Sequence, residues 1–395
     1  MQKALLDELF SRLPEGAVSV NYWDGTNKKY GEGSSQFTLS LTRPLSTTRI
    51  ARHPLLELGE AYMDGIIDVD EDLSEVMKWA FANQNLIFSN PAVQRFRKIL
   101  AKVSKPTSLN KQKQDVQFHY DLGNEFYSLW LDETMSYSCA YFHSAQDTLK
   151  EAQLQKIDHI LKKLQLQPGE TLLDIGSGWG WLIIRAAQQY QVSALGITLS
   201  QEQYQQTKKR IAELKLEHLV EVELLDYRDL ATSGRTFDKV ASVGMLEHVG
   251  KANLDQYMTA VERYLNPGGL ALIHSITHLK EGPINPWLDK HIFPGGYIPS
   301  LREVVWLLPD HDLHLLDIES LRMHYAMTLD YWAEGFEMNL EKVRQERGER
   351  FVRKWRLYLR SCAESFRMSG LSVHQILVSK GLNNNLPLTR HHLYQ

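Results

Sequence analysis

The order of apolar and polar positions divides the chain into two stretches of different pattern. Up to about residue 80, short alternating runs precede helical ones. Ala17 to Tyr22 and the Phe37, Leu39, Leu41 series read as strands, the second a strand with one buried face. Asp24-Gly25 between them predicts a hairpin turn. Leu55 to Met63 and Leu73 to Ala82 read as helices, which makes this stretch a small α+β unit.

From Asp115 onward a second unit follows. A helix is expected over Gln155 to Leu164, ended by Pro168-Gly169. Strands then alternate with helices: Thr171 to Ile175, a helix to Tyr190, Val192 to Thr198, a helix to Leu214, Val220 to Leu225, Lys239 to Val243, a helix to Tyr264, Leu270 to Ile276. This alternation predicts an α/β fold with a doubly wound parallel sheet. Ligands in such sheets lie beyond the carboxyl ends of the strands. Residues 279 to 311 break the pattern with Pro283, Pro286, Pro294, Gly295, Gly296 and Pro299 interleaved with Trp287, Ile292, Phe293, Tyr297 and Trp306. That composition suits a lid over an apolar substrate, or an insertion that buttresses the sheet. The sheet resumes at Leu315 to Ile318 and, after a long helical stretch, at Val373 to Val378. Glu341 to Arg367, rich in arginine and aromatics, leaves a dimer face, a membrane-facing helix and a solvated helix all open.

Between the two units, residues 95 to 113 carry Arg95, Arg97, Lys98, Lys102, Lys105, Lys111 and Lys113, with Val93, Phe96, Leu100 and Val103 at helical spacing. A basic amphipathic helix of this kind fits an anionic membrane surface as well as it fits a solvated linker. The boundaries expected are therefore 1–94, a linker at 95–115, and 116–395.

Bulk properties narrow the classes. At 395 residues the chain has room for two domains, and a net charge of −4 argues against a general nucleic-acid binder. Two distant cysteines, Cys139 and Cys362, fit a reducing compartment rather than a disulfide framework. No apolar run reaches the roughly 18 residues of a membrane span, and acids at Asp7 and Glu8 come too early for a signal peptide. A cytoplasmic protein with peripheral membrane contact is expected. The first unit shows no clustered carboxylates and no histidines at metal-ligand spacing.

The candidate chemistry centres on Leu172-Leu173-Asp174-Ile175-Gly176-Ser177-Gly178-Trp179-Gly180. A buried strand breaks into a turn with glycines at alternate positions, and Trp181 to Tyr190 then opens a helix. A dinucleotide fingerprint would need a glycine where Trp181 stands, and a phosphate loop would need Gly-Lys-Ser/Thr. What remains is the glycine loop of an S-adenosylmethionine (SAM) methyltransferase, with Asp174, Gly176, Gly178 and Gly180 bordering the amino-acid end of the cofactor, or a tight turn with no ligand. Thr198, Leu199 and Ser200 end the second strand, and Ser200 with Gln203 forms a capping-box pattern. Thr198, Ser200 and Gln203 are also placed to meet a ribose or the methionine carboxylate. Asp226-Tyr227 follow the third strand, where an adenine edge would be held, and Glu247-His248 follow the fourth.

These motifs, in this order, resemble those of the cyclopropane fatty acid synthases and mycolic acid cyclopropane synthases. The likeness is carried by His119-Tyr120-Asp121-Leu122-Gly123-Asn124, Tyr137-Ser138-Cys139-Ala140-Tyr141-Phe142, the glycine loop, Gly196-Ile197-Thr198-Leu199-Ser200, Val243-Gly244-Met245-Leu246-Glu247-His248-Val249-Gly250, Ile273-His274-Ser275-Ile276, Ile292-Phe293-Pro294-Gly295-Gly296, His324-Tyr325-Ala326-Met327-Thr328-Leu329 and Cys362-Ala363-Glu364-Ser365-Phe366-Arg367. Gly59-Glu60-Ala61-Tyr62-Met63-Asp64-Gly65 resembles the N-terminal domain of the bacterial phospholipid branch. The resemblance implies a Rossmann-like SAM-methyltransferase sheet with a lid insertion and a small N-terminal α+β domain. It implies transfer of a methylene from SAM to the cis double bond of an unsaturated membrane phospholipid, by a peripheral homodimer at the inner face of the membrane. It further implies a bound bicarbonate as base, held by Glu247, His274 and Tyr325 and by backbone groups near Cys139 and Ile276. Cofactor contacts are implied for Tyr137 and Ser138, and Cys362 matches a cysteine described as catalytic. Rival readings are a fatty-acid C-methyltransferase giving a branched chain, a small-molecule N-methyltransferase, and a non-catalytic lipid carrier.

Overall fold

A computed structural model describes residues 2–11, 16–83 and 122–394. The basic linker at 95–115 and the His119-Tyr120-Asp121 start of the family motif lie outside the described residues. The chain forms two compact units: the described part of Met1–Lys105 with Pro283–Pro294 and Leu329–Gly370, and the described part of Pro106–Gly282 with Gly295–Thr328 and Leu371–Gln395.

The first unit is built on four strands, β1 (Val18–Asn21), β2 (Asn27–Tyr30), β3 (Phe37–Leu41) and β4 (Ile67–Val69), in the order β2-β1-β3-β4. The β1–β2 hairpin turns at Asp24, whose carboxylate accepts the Thr26 N–H, while β1 and β3 run parallel. Val18, Val20, Phe37 and Leu39 face the core, as the alternation predicts. Helices Pro54–Met63 and Leu73–Ala82 agree with their patterns. The segment expected as a lid contributes Trp287 to this core. Its ring is buried against Gly59, where an added Cβ would meet Trp287 Cδ1 at 2.4 Å, and its Nε1–H donates to Met63 Sδ at 3.3 Å. Trp287 is thus a packing residue.

Helix Glu349–Met368 settles one open choice. Val352, Trp355, Leu359, Ala363 and Phe366 form a buried stripe at helical spacing, and Tyr358 is buried beside it. This helix packs on Leu73–Ala82. Its aromatic residues therefore belong to the core of the unit, which explains their density without a membrane or a dimer partner. Arg353 spans outward from the same helix to the Tyr62 and Ile67 carbonyls and to Asp68, at 3.0–3.3 Å.

The second unit holds seven strands: β5 (Thr171–Ile175), β6 (Ser193–Thr198), β7 (Val220–Leu224), β8 (Phe237–Val243), β9 (Leu265–His278), β10 (Leu313–Ser320) and β11 (Leu371–Lys380), ordered β10-β11-β9-β8-β5-β6-β7. β5 to β9 are parallel, and β11 is antiparallel to both β9 and β10. The sheet is doubly wound as expected, except for this one reversed strand. Apolar cores cover both faces, with Ile183, Ile184 and Ala187 on one and Tyr257, Val261 and Tyr264 on the other. Helix Leu149–Leu164 begins two turns earlier than expected. Thr148 caps it, accepting the Glu151 N–H while the Glu151 carboxylate accepts the Thr148 N–H.

Candidate active site

The carboxyl ends of β5, β6 and β8 open onto a cavity of about 120 Å³. Its floor is the glycine loop. Gly176 has φ +82°, a left-handed backbone that a side chain would strain, and the Gly176 and Ser177 N–H groups both donate to the Ile197 carbonyl at 3.0 Å. The loop is thereby tied to the next strand. Gly180 serves a different purpose: a Cβ there would lie 2.3 Å from Thr207 Cγ2, so its bare backbone lets helices Trp181–Tyr190 and Gln201–Glu213 approach. Trp179 is steered by Asn124, whose Oδ1 accepts the indole N–H at 2.8 Å.

Tyr137, Ser138, Asp174, Gly176, Gly178, Thr198, Leu199, Gln203 and Tyr227 line the cavity, and Gly180, Ser200 and Asp226 do not. Ser200 caps the following helix, accepting the Gln203 N–H. The Gln203 side chain does not close the capping box; its Oε1 accepts the Thr198 hydroxyl at 2.7 Å. Asp226 is engaged by the guanidinium of Arg228 and caps its own short helix. Asp174 is 2% exposed and its Oδ1 has no partner. Burial pushes its carboxyl up to about 7, partly opposed by the positive charge of Lys156. A buried unmatched carboxylate oxygen in a cavity suits a ligand ammonium, which is what the amino-acid end of SAM carries.

A second group of side chains gathers around β9. Glu247 follows β8 on the turn Leu246–Val249, and its Oε1 accepts the Ile276 N–H at 2.6 Å. Its Oε2 is sealed from solvent and unmatched, and burial lifts the carboxyl to about 7. The Ile276 amide is therefore taken by Glu247 here. His274, two residues earlier on β9, is buried, and its Nδ1 accepts from the Gln375 Nε2–H of β11 at 3.2 Å. Desolvation and nearby cations hold the imidazole well below its ordinary value, so it is neutral. The Leu321 carbonyl joins the remaining members: it accepts from Tyr325 N at 3.1 Å and from Cys139 Sγ at 3.8 Å, while Leu321 N donates to Val373, the cross-strand neighbour of Ile276. Backbone contacts through Leu321 and Val373 thus connect Cys139 and Tyr325 to the strand whose Ile276 amide holds Glu247, while His274 bonds Gln375 instead. Burial pushes the Cys139 thiol far above its ordinary value, so it acts as a small apolar side chain.

Residues 107–376 match the family model of mycolic acid cyclopropane synthetase, and residues 5–92 match a domain of unknown function. The chain belongs to the mycolic acid cyclopropane synthetase family. A probable fatty acid methyltransferase of Pseudomonas putida is 36% identical over 98% of this chain and 100% of its own length. The cyclopropane-fatty-acyl-phospholipid synthase of Escherichia coli is 36% identical over 91% of this chain and 92% of its own. The solved mycolic acid cyclopropane synthase CmaA1, complexed with SAH and CTAB, superposes with a TM-score of 0.64 at 34% identity, covering 68% of this chain and 98% of that one.

Within this family member, Cys362 belongs to the other compact unit. It sits on helix Glu349–Met368 in the first unit, and burial pushes its thiol up to about 12. Lys156, by contrast, lines the cavity although its sequence context gave no reason to select it. The signal lay in periodicity: Lys156 and Lys163 occupy the same stripe as Ile157, Ile160 and Leu164, which is where a helix is expected to be apolar. His248 also lines the cavity, and burial lowers it to about 4, which makes it a neutral wall.

Proposed function

We propose that the protein is a SAM-dependent cyclopropane-fatty-acyl-phospholipid synthase. The observation that carries this reading is the buried, unmatched Glu247 Oε2, fixed by the Ile276 amide to the strand that carries neutral His274, in a sheet whose adjoining cavity suits an amino-acid-bearing cofactor. Bound SAM supplies an electrophilic methyl on a sulfonium, reactive enough for an isolated alkene. Asp174, the loop glycines, Tyr137, Ser138, Thr198, Leu199, Gln203 and Tyr227 would hold it.

Addition to an alkene leaves a cation on the acyl chain, and a proton must then leave the new methyl for the ring to close. Glu247, with Oε2 free to accept and a carboxyl poised near neutrality, is suited to receive that proton. A bicarbonate beside it would be the immediate base, its O–H satisfying Oε2. Neutral His274 and the Tyr325 hydroxyl would orient that anion, and the Tyr325 ring would face the cation. Residues 1–94 would meet the lipid surface, the basic stretch 95–115 would favour anionic headgroups, and 116–395 would do the chemistry, in a peripheral homodimer at the inner face of the membrane. No helix among the described residues is long and apolar enough to cross a membrane.

The Pseudomonas putida relative favours a second reading, methylation of the same alkene to a branched chain. Incubation with vesicles of unsaturated phospholipid and methyl-labelled SAM, followed by fatty-acid analysis, separates the two. Label in a ring that survives mild hydrogenation supports the synthase. Label in a methyl branch overturns it.

A further inference from the structure

Helix Leu149–Leu164 buries two lysines on one face, and they are treated differently. Lys163, 1% exposed, has a carboxylate partner: its Nζ lies 2.6 Å from Glu319 Oε2. This is how a structural buried lysine is expected to look, since an unpaired ammonium is costly to bury. Lys156, 3% exposed, has no carboxylate within 4 Å among the described residues. Its Nζ donates to the Ser138 hydroxyl at 2.7 Å. Both Lys156 and Ser138 line the cofactor cavity.

The opposite charge is present in the same cavity. Asp174 Oδ1 is buried without a donor, and Lys156 is the cation that acts on it. The two side chains do not pair; each is left short of a partner of opposite sign. A ligand that carries an ammonium and a carboxylate on one carbon would satisfy both, and an α-amino acid end is that ligand. His248 is the other basic residue of the lining, and burial keeps it uncharged.

We infer that Lys156 is a specificity-determining residue: its ammonium is the counter-charge for the α-carboxylate of the cofactor's amino-acid end, with Ser138 Oγ holding it in place and Asp174 taking the ammonium. This rests on the SAM-dependent reading above. The assignment divides the work in the cavity. The glycine loop shapes the space, and Lys156 and Asp174 set which end of the zwitterion goes where, and so where the sulfonium methyl points.

The test compares two ligands on the full chain by calorimetry: S-adenosylhomocysteine and its decarboxylated analogue. The wild type is expected to prefer the carboxylate-bearing ligand by roughly tenfold or more. In Lys156→Met that preference should fall to within about threefold of unity, with affinity for the decarboxylated analogue nearly unchanged. Lys156→Gln, which keeps a donor and loses the charge, should fall between. Because methionine matches the lysine stem and needs no hydration, Lys156→Met should melt no lower than wild type. A preference retained in Lys156→Met overturns the inference, as does equal weakening for both ligands, which marks a structural role. An increased bicarbonate requirement for turnover with the preference intact overturns it too, and assigns the lysine to that anion. If wild type binds neither ligand, the SAM-dependent reading itself fails and takes this inference with it.

Discussion

Ile276 gives its backbone N–H to Glu247 Oε1, 2.6 Å away, and so fixes a carboxylate whose other oxygen is buried and unmatched. A side chain pinned at one oxygen and open at the other is arranged to take a proton from a defined direction. Glu247→Gln keeps the shape and removes the acceptor. Turnover should fall by about 100-fold or more, while affinity for S-adenosylhomocysteine stays within about threefold. Single-turnover assays and calorimetry on the two proteins check this.

The same carboxyl sets a pH dependence. Burial raises Glu247 to about 7, and only the ionised form accepts a proton. The turnover rate should therefore rise with pH through about 7 and level off above it. The limb should vanish in Glu247→Gln when its residual rate is followed over the same range.

Asp174 predicts a separate profile for binding. Its carboxyl is raised to about 7, and a ligand ammonium favours the ionised form, so S-adenosylhomocysteine affinity should climb as pH rises toward 7. Lys156 is lowered to about 8 by burial, and loss of its proton should weaken binding again above that value. For the unliganded protein the sign reverses. A carboxyl raised on folding makes the folded state less stable as pH climbs from its ordinary value, 3.8, toward 7. Asp174→Asn should thus weaken ligand binding and yet raise the unliganded melting temperature at pH 8, both read by thermal melts with and without ligand.

Gly180 is expected to be intolerant for a packing reason. Gly180→Ala places a methyl 2.3 Å from Thr207 Cγ2, on a backbone with φ +81°. The cost should be about 2–4 kcal/mol in denaturant melts. Adding Thr207→Ser, which removes the clashing methyl, should recover roughly 1 kcal/mol and leave the strain of the left-handed backbone.

Cys362 should be dispensable for the chemistry. Its thiol, raised to about 12, is protonated at any working pH and is a poor nucleophile. Cys362→Ser should retain turnover within about threefold, measured with the same vesicle assay. A loss of 100-fold with an unchanged melting temperature would restore it as a participant.

The sheet was legible because its strands are buried on both faces and read as short apolar runs between helices: β5 at Thr171–Ile175 agrees residue for residue with the pattern. The reversal of β11 was not legible, since an apolar run carries no direction. Gly176 and Asp174 stood out through glycine spacing at a strand end. Lys156 did not, because a lysine within a helix reads as solvated unless its place in the apolar stripe of Ile157, Ile160 and Leu164 is weighed. Trp287 was open for a related reason. Aromatics among prolines suit a lid and a core plug equally, and the fit against Gly59 puts this one ring in a core. The capping box at Ser200 was half right: the hydroxyl caps the helix, but Gln203 is drawn to Thr198.

The most direct test of the central claim counts hydrogens on the transferred carbon. With SAM deuterated at its methyl group and vesicles of monounsaturated phospholipid, a synthase must leave two of the three deuterium atoms on a ring carbon bridging the former double bond. Mass spectra of the released fatty acids should show that pattern for wild type and not for Glu247→Gln. Retention of all three deuterium atoms in a methyl branch would contradict proton loss to the Glu247 site and, with it, the account given for that carboxylate.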